Sequence, residues 1–331
     1  MKYSIVVPVF NRPDEVDELL ESLTHQVIHD FEVIIVEDGS AKPCKEICDK
    51  YTDRLNIHYY MKENSGPGQS RNYGAERAQG EYLIVLDSDV VLPEEYLKAI
   101  EDELKATSSD AFGGPDRSHS SFSDTQKAIS YSMTSFFTTG GIRGGKKKMD
   151  KFYPRSFNMG IRKEVYQQLG GFSKMRFGED IDFSIRIFKA GWKCRLFPGA
   201  WVYHKRRTDF RKFWKQVFNS GIARINLYKK YPESLKMVHL LPMAFTVGIL
   251  SLILLSLLLW SWIPLLPILL YIIIIFVDSS LQNRSLKIGV LSIFSAFIQL
   301  IGYGCGFLQA WWKRCVRGKN EFSAYQKTFY K

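Results

Sequence analysis

The sequence predicts an α/β domain on a mostly parallel sheet, followed by helices that cross a membrane. Three observations predict it. Short apolar runs alternate with amphipathic segments through the first half of the chain. Two stretches, 240–277 and 288–312, are nearly free of charge and rich in Leu, Ile, Phe and Val, as a spanning helix of roughly 20 apolar residues requires. Basic residues crowd beside those stretches instead of spreading over the α/β part.

The alternation runs in order. The apolar stretch Tyr3–Phe10 is too short for the apolar part of a signal sequence, and Asn11-Arg12-Pro13 ends it, so Ser4–Val9 reads as a first strand. Phe31–Val36, Asn56–Tyr60 and Tyr82–Leu86 read as the next three, with helical patterns at Pro13–Thr24, Pro43–Tyr51 and Gly68–Gln79 between them. Pro13 and Pro93 stand where a helix would start. Such alternation places helices on both faces of the sheet and ligands at the carboxyl ends of its strands. From Gly113 to Arg155 the pattern loosens into Ser, Gly and Lys, and the Gly/Lys run at 140–148 reads as a solvated flexible linker or as a loop that closes over a phosphate or acceptor. Helical spacing returns at Lys163–Leu169 and Asp180–Ala190.

Phe210, Phe213, Trp214, Val217, Phe218, Gly221, Ile225 and Tyr228 then recur at helical spacing with basic residues between them, the profile of a helix at a membrane surface or packed on a neighbour. Leu240–Leu259 and Ile288–Trp312 are long enough to span. Ile263–Val277 is a shorter block that Pro264 and Pro267 are expected to interrupt, so two or three spans are predicted.

Of the formal net charge of +11, residues 201–237 carry +8 and the tail after Trp312 carries +5, while the first 200 residues sum to −3. The basicity is juxtamembrane, which suits anionic headgroups and a cytosolic positive flank, and it argues against nucleic acid as a partner. A transporter is excluded by too few spans and by the lack of an intramembrane charge pair, since only Asp278 lies near a span end. Five cysteines form no metal or disulfide framework, which points to a reducing compartment.

Acidic residues mark the strand ends. Leu86-Asp87-Ser88-Asp89 closes an apolar strand with two carboxylates, the oxygen donors that Mg²⁺ or Mn²⁺ takes while leaving positions for substrate phosphates. Glu37-Asp38-Gly39-Ser40 follows the second strand; Asp38 could bond a base or ribose, or simply make an Asp-Gly turn. Asn64-Ser65-Gly66-Pro67-Gly68 leads into Ser70-Arg71-Asn72, where Arg71 could pair with phosphate or with the strand-end carboxylates. Gly178-Glu179-Asp180-Ile181-Asp182 precedes a helical run, and neighbouring carboxylates raise one another's pKa, as a general base requires.

Six motifs, in order and at plausible spacing, make residues 1–230 resemble glycosyltransferase family 2. They are Ile5-Val6-Val7-Pro8-Val9-Phe10-Asn11, Val36-Glu37-Asp38-Gly39-Ser40, the Gly-rich turn with Arg71-Asn72, Asp87-Ser88-Asp89, Asn158-Met159-Gly160 with Gly170-Gly171-Phe172, and Glu179-Asp180. The resemblance implies a GT-A fold, which is Rossmann-like, a nucleotide-diphosphate sugar donor, a divalent cation and inversion at the anomeric carbon. By the same resemblance Pro8, Asp38, Arg71, Asp87 and Asp89 are expected on the donor side, Asp38 against the base and Asp87 at the ribose or metal. Asp89 is expected to hold the metal, with His204 as a further ligand. Asp180 is expected to be the base, with Glu179 beside it, and Asn158, Gly171 and Phe172 are expected to line the acceptor side.

The family's processive members carry Gln-x-x-Arg-Trp, and Gln216-Val217-Phe218-Asn219-Ser220 lacks both the Arg and the Trp. Transfer of a single sugar to a lipid-linked or saccharide hydroxyl, in cell-surface glycan synthesis, is therefore expected. A polyprenyl-phosphate acceptor and a catalytically silent, sugar-nucleotide-binding scaffold are the alternatives. The expected layout is a catalytic domain at 1–205, a basic amphipathic region at 206–237, transmembrane helices at 238–312 and a basic tail at 313–331. It implies a multi-pass protein of the cytoplasmic membrane with its catalytic domain in the cytosol.

Overall fold

The computed structural model describes residues 1–117, 122–139, 152–175, 177–205 and 207–321. The Gly/Lys run at 140–148 and the end of the basic tail lie outside them. The chain opens with strands β1 (Tyr3–Val9), β2 (Phe31–Asp38), β3 (Ile57–Lys62) and β4 (Tyr82–Leu86), alternating with helices α1 (Pro13–Thr24), α2 (Lys45–Asp49) and α3 (Pro67–Arg77). Next come β5 (Val90–Val91), α4 (Tyr96–Ala106), β6 (Ala111–Gly113), β7 (Asp116–Arg117), α5 (Asp124–Thr134) and α6 (Phe136–Thr139). Then follow β8 (Asn158–Arg162), α7 (Lys163–Gln168), α8 (Glu179–Lys189), β9 (Cys194–Leu196) and β10 (Val202–His204). Among the described residues, four long helices follow: α9 (Phe210–Lys230), α10 (Leu241–Leu258), α11 (Leu266–Asn283) and α12 (Leu286–Trp311).

The described residues form two compact units, one of 1–117, 152–175 and 177–205, the other of 122–139 and 207–321. In the first, seven strands make one sheet in the order β3-β2-β1-β4-β8-β6-β9. β1 pairs parallel with β2 and β4, and β8 runs antiparallel between β4 and β6. The predicted strands are all present; β8 escapes the alternation because Asn158-Met159-Gly160 opens it with polar and small residues. β1, β2 and β4 are buried on both faces, which is why they read as continuous apolar runs. Val16, Leu19, Leu20 and Leu23 of α1 join the core on one face, while Val6, Ile34, Val36, Val85 and Met159 face the other. On that second face Gly74 lets α3 lie close to the sheet, since a Cβ there would stand 2.5 Å from Val6.

A second, three-stranded sheet has the order β5-β10-β7. It is small, but it carries the end of the domain back to β4: His204 pairs antiparallel with Val90, directly after Asp89.

In the second unit α12 is the hub. Gly302, Gly304 and Gly306 leave its flank bare, so that α9 approaches at Gly302 and Gly306 and α10 at Gly304. A Cβ on Gly306 would stand 2.0 Å from the Phe218 carbonyl oxygen, and one on Gly221 would stand 2.2 Å from that of Tyr303. Close backbone approach through small residues is how helices associate where no water drives them together. The amphipathic helix expected through Phe210–Tyr228 is α9, with Phe213 and Val217 buried against Ile129 and Met133 of α5. Among the described residues, three helical segments are long and apolar enough to cross a membrane: Met237–Leu258, Ile263–Asn283 and Leu286–Val316. The expected break in the middle one is absent. Pro267 lies in the first turn of α11, where its missing N–H removes no helical bond, and Pro264 sits in a preceding 3₁₀ turn.

The loosened region also holds helices, α5 and α6. Its start was written in Ser123 and Gln126, which form a capping box: the Ser123 hydroxyl accepts from the Gln126 N–H, and the Gln126 side chain accepts from the Ser123 N–H.

Candidate active site

The carboxyl ends of β1, β2 and β4 lie side by side, and the polar residues follow from that. Pro8 sits at the end of β1 opposite Val36, Asp38 ends β2, and Asp87 follows β4. The turn after β4 carries Asp89 into β5, where the pairing with β10 continues: Lys205 N donates to the Asp89 carbonyl at 2.9 Å. That bridge places His204 Nε2 3.3 Å from Asp89 Oδ1. Asp87, Asp89 and His204 each bring one donor atom within 4.8 Å of the others. Phe157 stacks on the His204 ring at 4.7 Å and holds its plane.

Two arginines interlock this cluster. Arg12 Nη1 donates to Asp89 Oδ2 at 2.5 Å. Arg71, 3% exposed on α3, donates through Nη2 to Asp87 Oδ1 at 2.7 Å and through Nη1 to Glu179 Oε1 at 3.1 Å. Arg71 thus pairs with carboxylates at the strand end and at the start of α8 together, and charge-assisted bonds of this kind fix geometry as well as charge.

Gly178, with φ of 88°, turns the chain into α8, and Glu179 and Asp180 fill its first turn, where the helix dipole favours anions. Asp180 Oδ1 accepts from its neighbour Ile181 N at 2.8 Å, and Asp180 Oδ2 lies 3.1 Å from Arg155 Nε. Burial holds the Glu179 carboxyl above the usual carboxylate range, the Asp180 charge adds to that, and Arg71 opposes it.

The remaining predicted residues lie deeper. Asp38 is 2% exposed: Oδ1 accepts from Ser65 N and Oδ2 from Gly66 N, both at 2.9 Å, and Lys62 pairs with it. Its carboxylate therefore folds the Gly-rich turn that launches α3. Asn158 is buried, with Tyr96 Oη donating to its Oδ1 and its own Nδ2 donating to the Ala200 carbonyl, each at 2.7 Å. Gly171 has φ of +64°, and a Cβ there would stand 2.5 Å from Asn72 Oδ1. Asn72 clamps the backbone of Phe172: Oδ1 accepts its N–H, and Nδ2 donates to its carbonyl, both at 2.8 Å. The Phe172 ring is buried, 4.9 Å from Phe183, with the Arg71 guanidinium 5.3 Å from its centroid. The tertiary fold thus gathers Asp87, Asp89, His204, Arg71 and Glu179 with Asp180, and it makes Asp38, Asn158 and Phe172 the frame beneath them.

Sequence reasoning missed Arg12, Phe157 and Arg155, and it named Asn72 in a motif without giving it a role. Arg12 had a signal, since it lies in the Asn-Arg-Pro punctuation after β1. Phe157 and Arg155 had none, because their partners come from distant segments.

Two carboxylates and an imidazole are a donor set that a divalent cation accepts, Mn²⁺ more readily than Mg²⁺ because of the nitrogen. A mostly parallel sheet with acidic strand ends, an arginine-bridged carboxylate pair and appended helices long and apolar enough to cross a membrane define the class: an α/β domain joined to apolar helices. Residues 4–170 match the profile "Glycosyl transferase family 2", half of the chain, and the protein belongs to that family.

Among relatives, the poly(ribitol-phosphate) β-N-acetylglucosaminyltransferase TarS of Staphylococcus aureus is 37% identical over 102 residues, 30% of this chain and 18% of that protein. The glycosyltransferase AglE of Haloferax volcanii is 24% identical over 253 residues, 75% of this chain and 81% of that one. The matches to TarS and to a glycosyltransferase of Rickettsia felis span only 18% and 22% of those proteins' own lengths. Among solved structures, the mannosyltransferase PcManGT of Pyrobaculum calidifontis, in complex with GDP-Man and Mn²⁺, superposes with a TM-score of 0.65 at 14% identity, over 95% of this chain and 88% of that one. That likeness establishes the shared fold, GT-A with helices appended.

Proposed function

We propose that the protein is an inverting glycosyltransferase that moves one sugar from a nucleotide-diphosphate sugar to a hydroxyl of a lipid-linked or saccharide acceptor at the cytoplasmic membrane, in the synthesis of a cell-surface glycan. In this reading residues 1–205 are the catalytic domain, facing the cytosol, 206–237 and 238–312 the basic and membrane-spanning regions, and 313–331 a basic tail. The observation that carries the reading is the arginine bridge from Asp87 to Glu179, because it ties a phosphate-and-metal cluster to a pair of carboxylates at the distance of one side chain.

Asp87, Asp89 and His204 would hold the cation, and when bound it supplies charge neutralisation for the departing diphosphate. Asp180 takes the proton of the acceptor hydroxyl as that oxygen forms its bond to the anomeric carbon. The carbon's bond to the diphosphate oxygen breaks on the opposite face, and the nucleoside diphosphate leaves as an anion that needs no acid. Glu179, whose own proton affinity is raised by burial and by the neighbouring Asp180, stands beside that base and is tied to Asp87 through Arg71. Asp38 and Pro8 shape the donor side, and Asn158, Gly171 and Phe172 support the acceptor side. A hydroxyl acceptor is favoured over a polyprenyl phosphate because an anionic phosphate needs no base, whereas two carboxylates stand ready here.

The test is release of nucleoside diphosphate by the full chain in detergent from UDP-, GDP- and dTDP-sugars, with Mn²⁺, Mg²⁺ or EDTA. The panel is that wide because the relatives' names include both an N-acetylglucosaminyltransferase and a GDP-Man-bound mannosyltransferase. Metal-dependent turnover of one donor, lost in Asp180→Asn, supports the reading. Donor binding with no turnover alongside any acceptor tried, and no effect of Asp89→Ala on binding, sinks it in favour of a silent scaffold.

A further inference from the structure

We propose that α5 and α6, which the chain inserts between β7 and β8, enter the bilayer and present Phe136 and Phe137 to the acyl chains of its phospholipids. The register against α11 carries the proposal. Tyr131 Oη donates to Asp278 Oδ2 at 2.6 Å, and Tyr271 Oη donates to the Phe137 carbonyl at 3.3 Å. As α5 runs into α6, its partners therefore move back along α11 from Asp278 to Tyr271, about 10 Å at 1.5 Å per residue. Tyr271 lies close to the middle of the 21-residue apolar segment Ile263–Asn283. A segment that ends beside the middle of a spanning helix ends at mid-membrane depth.

Charge distribution agrees independently. Asp124 and Lys127 stand at the start of α5, and Asp124 pairs with Lys287 at 2.7 Å, beside the α11–α12 turn. From Ala128 to Thr139 there is no charged residue. An uncharged stretch of that length is too short to span and suits a re-entrant segment.

Its hydroxyls behave as hydrocarbon demands. Ser132 donates to the Ile129 carbonyl and Thr134 to that of Ser130, at 2.9 and 2.8 Å, and Thr138 and Thr139 donate to the Ser135 carbonyl. Ser132 also meets Ser295 of α12 at 2.7 Å. Polar groups turned back onto their own helix or onto a neighbour ask nothing of water. Against that background Phe136 and Phe137 are 72% and 43% exposed, an apolar pair whose natural solvent at that depth is lipid.

The test is site-directed spin labelling of the full chain in phospholipid nanodiscs, with Cys305 and Cys315 replaced by Ser, the other three cysteines being buried. Phe136→Cys carries the label, with Phe137→Cys as a second position should the first fail to fold. Leu254→Cys on α10 is the lipid reference and Lys105→Cys on α4 the water reference, 57% and 66% exposed. Collision with oxygen should exceed collision with a water-soluble nickel chelate at 136 as it does at 254, the reverse of the order at 105. Nickel access at 136 and 137 equal to that at 105 would place the pair in water and overturn the proposal. Poor access to both agents would show the pair covered by protein, and overturn it equally.

Discussion

At the carboxyl ends of the strands, the residues that decide the structure are charged and locked to one another: Arg12 to Asp89, Arg71 to Asp87 and Glu179, Lys62 to Asp38. Around α12 the deciding residues have almost no side chain, and their contribution is to be absent from the path of a neighbouring backbone. The difference follows from the solvent each region displaces. A buried charge in the sheet domain costs several kcal/mol unless paired, so the site's charges come in pairs. Between apolar helices there is little hydrophobic gain on contact, so dispersion through close approach and a few hydroxyl bonds must serve. Breaking the first region should abolish chemistry and spare the fold; breaking the second should do the reverse.

Asp89→Ala offers the largest expected effect. On the proposed reading it removes a cation ligand as well as the partner of Arg12, and loss of several kcal/mol of charge stabilisation means a fall in turnover of at least roughly 100-fold. Circular dichroism of that variant should be unchanged, and a collapse of its fold would count against the distinction between the two regions. Gly306→Leu is the opposite experiment. With 2.0 Å available to a Cβ against the Phe218 carbonyl, α9 and α12 must separate. Overpacking of this kind costs about 1–3 kcal/mol or more, read as a lower apparent Tm in detergent.

Arg71→Gln sharpens the comparison through pH. Arg71 lowers the proton affinity of Glu179, which burial and Asp180 raise. Removing the cation should move the carboxyl further up, so the acid limb of the kcat/KM profile should shift to higher pH. An unmoved limb would show that Glu179 does not control it. The smallest effect belongs to Ser295→Ala, which deletes the hydroxyl pair with Ser132. Hydrogen bonds between apolar helices average about 0.6 kcal/mol in double-mutant cycles, and a cycle of Ser132→Ala with Ser295→Ala should read a coupling of that order.

The sequence by itself determined a great deal of this protein. Short apolar runs placed β1–β4 and period-3.6 patterns placed α1 and α3, because a strand buried on both faces and a helix buried on one must write their burial into the order of residues. Charge-free runs announced the apolar helices for the same reason. Asp87, Asp89, Arg71 and Glu179 were legible as candidates because acidic and basic residues at strand ends and helix starts stand out locally.

Only the tertiary structure decided which of them meet. That Arg71 bridges Asp87 to Glu179, 108 residues from its own position, is a property of how α3 and α8 pack, and no local pattern encodes it. The antiparallel return of β10 alone brings His204 to Asp89. The register of Tyr131 and Phe137 against α11 likewise turned a Ser-rich stretch with no evident period into a paired element. Local sequence reports the solvent each residue prefers, whereas contacts between distant segments are fixed only when all of those preferences are satisfied at once.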